Sequence, residues 1–327
     1  MGSCMARQYY RAGWPGPEAR NVAPFAAMST IQARYDAAAD RYRTWWEPVL
    51  APTALALLDE IALTDASAEV PRSGVDPTEP DPQATEPEPP GARILDLGTG
   101  AGLLALAAVR RWPQATVVGL DGSTGMLAIG AAAAERQLTE SERGRLEFVS
   151  GHAGRLPFED ATFDLVVSSF VLQLVPHRPG ALAEARRVLR PGGRLAFVTW
   201  LVDPADVFAP DEAFEQALDE LEIDEDGEAE EARSGDFASA AAAAAQLRRA
   251  GFRAVEAREA ALTHPYDPAT YLNFLEQYAE RDVFQGLDEQ ARARLRASAA
   301  ARLARLPPEA FIWRASVVYA SGRRSAG

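Results

Sequence analysis

The chain has 327 residues, 47% of them hydrophobic, and a formal net charge of −14. That length accommodates one large domain or two small ones with a sizeable core, and no apolar run reaches the roughly 18–20 residues of a bilayer span. The acidic balance argues against a broad nucleic-acid-binding face. One cysteine, Cys4, excludes an internal disulfide framework, a cysteine-based zinc site and a buried nucleophilic thiol. Three scattered histidines make a His-rich metal site an equally poor expectation, and every basic side chain is an arginine.

Residues 1–27 read as a disordered N-terminal extension without an apolar signal core, so a cytoplasmic setting is expected. Met28 could equally be the natural start. From Thr30 to Ile61 the pattern is helical. Tyr35, Tyr42, Trp45, Trp46, Val49 and Leu50 recur at helical spacings and describe an aromatic face. Pro48 and Pro52 are expected to split this cap, residues 28–63, into two helices. Leu55, Leu57, Leu58 and Ile61 fall on the inner side of the second. Residues 64–91 are rich in Pro and Glu and hold too little apolar surface to offset chain entropy, which predicts a disordered linker.

Residues 92–327 form the expected main domain. Short apolar strands are predicted at Arg93–Leu97, Thr116–Leu120, Leu146–Ser150, Phe163–Ser168 and Arg194–Thr199. Helices alternate with them at about Ala101–Arg111, Ser123–Gln137 and Pro179–Leu189. This alternation predicts an α/β fold, a mostly parallel sheet with helices on both faces. Farther on, 219–231 is an acidic segment expected to be solvated, and Ala238–Ala250 a helix. Ala254–Leu262 and Phe311–Ala320 complete seven strands. A helical insertion at 268–306 lies between the last two.

The chemistry concentrates in four places. Asp96-Leu97-Gly98-Thr99-Gly100-Ala101-Gly102 is a G-x-G-x-G loop joining the first strand to its helix. Glycine suits positive φ and lets a ligand lie against bare backbone, and the helix that follows offers free N–H groups to a carboxylate. Asp96 could orient the loop and meet a ligand ammonium through water. Asp121 ends the second strand, on the same sheet edge, where a carboxylate can accept from both hydroxyls of a ribose. The alternative is a plain helix N-cap. Gly151-His152-Ala153-Gly154-Arg155-Leu156-Pro157-Phe158 leaves the third strand, and Pro191-Gly192-Gly193 reads as a tight turn into the fifth.

The run Arg93–Trp200, about a third of the chain, resembles the core of class I S-adenosylmethionine-dependent methyltransferases. Within them it looks like the small-molecule branch that includes quinone-ring and acyl-ester methyltransferases. The resemblance implies a Rossmann-like sheet, S-adenosylmethionine as cofactor and a small-molecule methyl acceptor rather than nucleic acid. It implies that Gly98, Thr99, Gly100 and Gly102 line the methionine portion and that Asp121 holds the ribose. Gly122 and Met126 would border adenine, His152 and Ala153 would stand at its edge, and Ser169 and Phe170 would pass close by. Tyr42, or Tyr35, would cap the cofactor. Two departures stand out: the family usually has an aspartate at His152 and an apolar side chain at Gly122. A neutral imidazole could accept the adenine amino bond in one tautomer, or the backbone around Ala153 could do so.

Transfer from a sulfonium needs alignment and exclusion of water more than an acid or base. A base matters only if the attacked atom still carries its proton. Gln173, His177 and His264 are the further substrate-side candidates, each with a structural alternative. Tyr35, Trp45, Trp46, Tyr266, Tyr271, Phe274, Tyr278 and Trp313 read first as core that could roof an apolar pocket. Two other readings remain: a non-catalytic metabolite- or partner-binding protein, and a nicotinamide-dependent oxidoreductase, whose G-x-G-x-x-G fingerprint differs from the spacing here. A nucleic-acid enzyme is disfavoured because Ser168-Ser169-Phe170 replaces the Asn/Asp-Pro-Pro-aromatic signature that holds a flipped base.

Overall fold

The computed structural model describes residues 24–61, 91–202, 208–223 and 233–326. The expected extension up to residue 23, the Pro/Glu-rich linker up to residue 90 and most of the acidic segment fall outside the described residues. The cap opens with α1, Pro24–Arg41, which begins within the stretch expected to be unstructured. A π turn at Tyr42–Trp46 follows, then α2, Glu47–Asp59. The helical path continues through the π turn, with Arg41, Trp46 and Glu47 all right-handed, so neither proline splits the cap as expected. Pro48 stands directly after the π turn, in the first turn of α2, and Pro52 is inside the helix. An internal proline costs about 3 kcal/mol. Burial of Val49, Leu50, Ala54, Leu57 and Leu58 at roughly 1.5–3 kcal/mol for each large side chain outweighs it. Leu55 is only half-buried.

The main domain runs β1 Arg93–Leu97, α3 Leu103–Arg111, β2 Thr116–Asp121, α4 Thr124–Gln137, a short α5 Glu140–Arg143, β3 Leu146–Ser150 and β4 Phe163–Ser169. It continues with α6 Arg178–Val188, β5 Leu189–Trp200, α7 Ala209–Glu220, α8 Ala240–Arg249 and β6 Phe252–Pro265. The insertion comprises α9 Pro268–Phe274, a π turn Leu275–Ala279, α10 Arg281–Gly286 and α11 Glu289–Leu303, before β7 Ile312–Arg324 closes the sheet. The seven strands stand in the order β3-β2-β1-β4-β5-β7-β6. The first five pair in parallel, and β7 is antiparallel to β5 and β6. This is the mostly parallel α/β sheet that the alternation predicts.

Two details differ. β5 runs continuously through Pro191-Gly192-Gly193, absorbing the expected turn with a left-handed Gly192 at φ 81°. Helix α7 occupies a stretch where no element is expected.

β1 is central because Ile94, Leu95 and Leu97 are apolar toward both faces, as a strand covered on both sides requires. Alternate residues feed two cores. Ile94, Val117, Leu165 and Val198 join the cap, α3 and the insertion on one face. Leu95, Val118, Val166 and Phe197 join α6 and α8 on the other. The chain winds one way from β1 to β3 and the other way from β4 on, so the crevice at the C-terminal ends of β1 and β4 is where such a sheet accepts ligands.

Candidate functional site

The glycine turn after β1 is tied to its neighbour: the N–H groups of Gly98 and Thr99 both donate to the carbonyl of Leu120, at 2.8 and 2.9 Å. Gly98 has φ 74°, and a Cβ there would lie 2.2 Å from a Val171 methyl, so no side chain fits. Gly100, with φ 54°, has nothing within 4 Å of where its Cβ would stand. Its Cα therefore opens onto free space while its N–H donates to Asp121 Oδ2 at 2.9 Å. The other oxygen of Asp121 accepts from the Ser123 N–H at 2.9 Å. Burial raises the carboxyl of Asp121 above its ordinary range against these bonds, which pull it down.

Below the turn, Asp96 is buried and accepts from the Thr99 hydroxyl at 2.6 Å. Desolvation pushes its carboxyl up to about 7, with the Thr99 bond opposing. Asp96 and Thr99 thus brace the turn from behind. Gly102 caps the start of α3, packed beneath Leu106 and Phe148.

In front of the turn lies an open cleft, the concave kind of setting that small-molecule sites occupy. Gly98, Gly100, Asp121, Gly122, Met126, His152, Ala153, Ser169 and Phe170 all line it, and Tyr35 and Tyr42 close it from the cap. Their two rings meet edge to face at 5.9 Å. The described lining contains one carboxylate, Asp121, and no arginine. Its electrostatics therefore suit a neutral or cationic ligand.

The remaining expected residues stand elsewhere. Asp96, Thr99 and Gly102 are behind the turn. Gln173 faces inward: its amide donates to the Phe170 carbonyl at 2.8 Å and accepts from the Thr199 hydroxyl at 2.5 Å. It holds Phe170, a non-glycine residue at φ 55° whose ring lies 4.5 Å from Trp200. His177 is exposed and caps α6, its Nδ1 accepting from the Gly180 N–H at 3.2 Å. His264 lies on β6 against Tyr266, with burial lowering its pKa. Trp46 stacks with Phe274 and Tyr278 in the core behind the cleft.

Two site residues escape the sequence reading. Gln32 of α1 lines the cleft, and its Nε2 donates to His152 Nδ1 at 2.5 Å. Asp36, one turn later, accepts from the Ser123 hydroxyl at 2.6 Å and the Gly125 N–H at 2.7 Å, fastening α1 to the start of α4. The polar pair at i, i+4 beside Tyr35 was the available signal. Among the described residues no group of side chains is arranged to hold a metal ion, and no helix is long and apolar enough to cross a membrane.

Comparison with known proteins bears on this cleft. Residues 95–197 match the family model described as a methyltransferase domain. The ubiquinone/menaquinone biosynthesis C-methyltransferase UbiE of Dinoroseobacter shibae is 44% identical over 103 residues, which cover 32% of this chain and 40% of that protein. The trans-aconitate 2-methyltransferase of Deinococcus radiodurans is 41% identical over 116 residues, covering 36% and 41% respectively. The chain thus spans about two fifths of the length of these relatives. Among solved structures, Haemonchus contortus phosphoethanolamine N-methyltransferase 2, in complex with phosphomonomethylethanolamine and S-adenosylhomocysteine, is similar with a TM-score of 0.51. At 17% identity, over 94% of this chain and 61% of that one, the likeness is one of fold.

Proposed function

We infer, from a methyltransferase domain at residues 95–197, that the chain transfers a methyl group from S-adenosylmethionine to a small-molecule acceptor. One observation carries the reading: the bare backbone of Gly98–Gly100 and the carboxylate of Asp121 face the same cleft. Asp121 already accepts from the backbone N–H groups of Gly100, Ser123 and Gly122, and a carboxylate with about four acceptor sites can still take ribose hydroxyls beside them. The base then lies toward Gly122, Met126, His152 and Ala153, and the methionine portion toward Gly98, Gly100 and Ser169.

When bound, S-adenosylmethionine supplies a methyl group on a positively charged sulfur that gives up its charge on transfer. The residues of the chain orient the reactants and keep water away. Tyr35 and Tyr42 close the cap side, and an aromatic face near a cation contributes about 0.5–2 kcal/mol. Phe170, Val171 and Leu174 make the opposite wall apolar. With no arginine in the described lining, an uncharged, largely apolar acceptor fits better than a phosphate or polycarboxylate.

Calorimetry with S-adenosylhomocysteine, followed by a methyl-transfer assay over neutral and anionic acceptors, tests this. Binding lost in Asp121→Ala, together with methylation of a neutral acceptor, supports the reading. Wild-type binding with no methylated product from any acceptor points to a non-catalytic metabolite-binding protein.

A further inference from the structure

The base end of the cleft holds an arrangement that the two departures at Gly122 and His152 create together. Gly122 has no side chain, and Gln32 of the cap fills the vacated space. A Cβ on residue 122 would fall 2.3 Å from the Gln32 Nε2. From that position the Gln32 amide donates to His152 Nδ1 at 2.5 Å. The ring then carries its proton on Nε2, and its Nδ1 is no longer available to a ligand. The amide oxygen of Gln32 takes no partner among the described residues, although the side chain lines the cleft. An acceptor is therefore held at the base end by a residue 120 positions away from His152.

We propose that Gln32 is the residue that reads the purine edge of the cofactor: His152 orients the amide, and the Gln32 Oε1 accepts from the exocyclic amino group of adenine. This rests on the cofactor reading above. Asp36 supports it by pinning α1 one helical turn away, where i and i+4 share a face. Gly122 is then required because a side chain there would displace the amide that takes its place.

The test compares S-adenosylhomocysteine with its 6-oxo (inosine) analogue, in which the amino donor becomes an acceptor, by calorimetry on the full chain. Wild type is expected to prefer the adenine form at least tenfold, because a site built around a hydrogen bond rejects a ligand that cannot make it. Gln32→Leu should weaken S-adenosylhomocysteine about fivefold to tenfold, the worth of one hydrogen bond, and bring the two ligands within about twofold of each other. Gln32→Glu, which keeps an acceptor, should retain the preference. Gly122→Ala, which meets only the flexible end of Gln32, should behave like Gln32→Leu, with thermal unfolding confirming that both fold. If Gln32→Leu binds S-adenosylhomocysteine as tightly as wild type or more so, Gln32 is a seal over the cleft and the proposal falls while the cofactor reading stands. If wild type binds neither ligand, the cofactor reading falls and takes this proposal with it.

Discussion

At the tip of β2, Asp121 braces Gly100 and presents its remaining lone pairs to the cleft. Asp121→Asn keeps the shape but replaces one acceptor oxygen with a donor. Charge-assisted bonds are worth about 1.5–3 kcal/mol, so cofactor affinity should fall about tenfold to a hundredfold by calorimetry. Gly98 tests the turn instead of the ligand contact. With φ 74° and Val171 against it, Gly98→Ala should cost about 1–3 kcal/mol, read as a lower urea midpoint with unchanged slope. Asp96 predicts a pH effect. Its carboxyl titrates near 3.8 in an exposed chain and is pushed up to about 7 in the fold by desolvation. Between those values the native state holds a proton that the unfolded state has lost, so stability falls as pH rises through this window. Asp96→Asn should remove that fall from a series of urea titrations between pH 4 and 7.

Among the elements, α1 is fastened to the start of α4 through the Asp36 carboxylate, so its placement should respond to one substitution. Asp36 accepts from Ser123 and Gly125, and those bonds hold its carboxyl below the usual range. A lowered folded value means that the docking is fully present above the ordinary carboxylate pKa and is lost as pH falls through the lowered one. Asp36→Ala should loosen α1 at neutral pH, with faster proteolysis between residues 31 and 46 and weaker cofactor binding.

The elements also differ in how plainly the sequence announces them. Strands β1, β2 and β4 are legible because burial on both faces demands unbroken apolar runs, such as Leu165-Val166-Val167. The turn at Gly98–Gly102 is legible because left-handed backbone favours glycine. Helix α7 is not, because Asp211 and Glu212 stand beside an acid-rich run that reads as solvated, while Phe214, Ala217 and Leu218 are buried. The cap carries a π turn that leaves no composition signal, whereas Pro48 and Pro52 are tolerated where a break is expected. The contact of Gln32 with His152 spans 120 positions and exists only once α1 is docked. Gln173, a candidate substrate contact with a structural alternative, satisfies the Phe170 carbonyl and the Thr199 hydroxyl inside the core.

For the whole molecule, cap and insertion share one core with the sheet. Trp46 of the cap contacts Trp200 of β5, Phe274 of α9 and Trp313 of β7. Leu295 of α11 belongs to the same cluster as Ile94 of β1. The insertion should therefore melt with the sheet. Leu295→Ala should cost about 2–5 kcal/mol and lower a single cooperative transition seen identically by tryptophan fluorescence and circular dichroism. Two separate transitions would count against a shared core.

The antiparallel return of β7 leaves β6 as the outermost strand on that side, with Arg253, Glu256, Arg258 and Glu259 exposed and a bulge between Arg253 and Glu256. Its outward amides invite extension by a foreign strand, which is how fibrils recruit. Any newcomer there would have to flatten the bulge and strip water from charges of both signs. Among the described residues, the bulge and the mixed charges make this margin a poor template for strand addition.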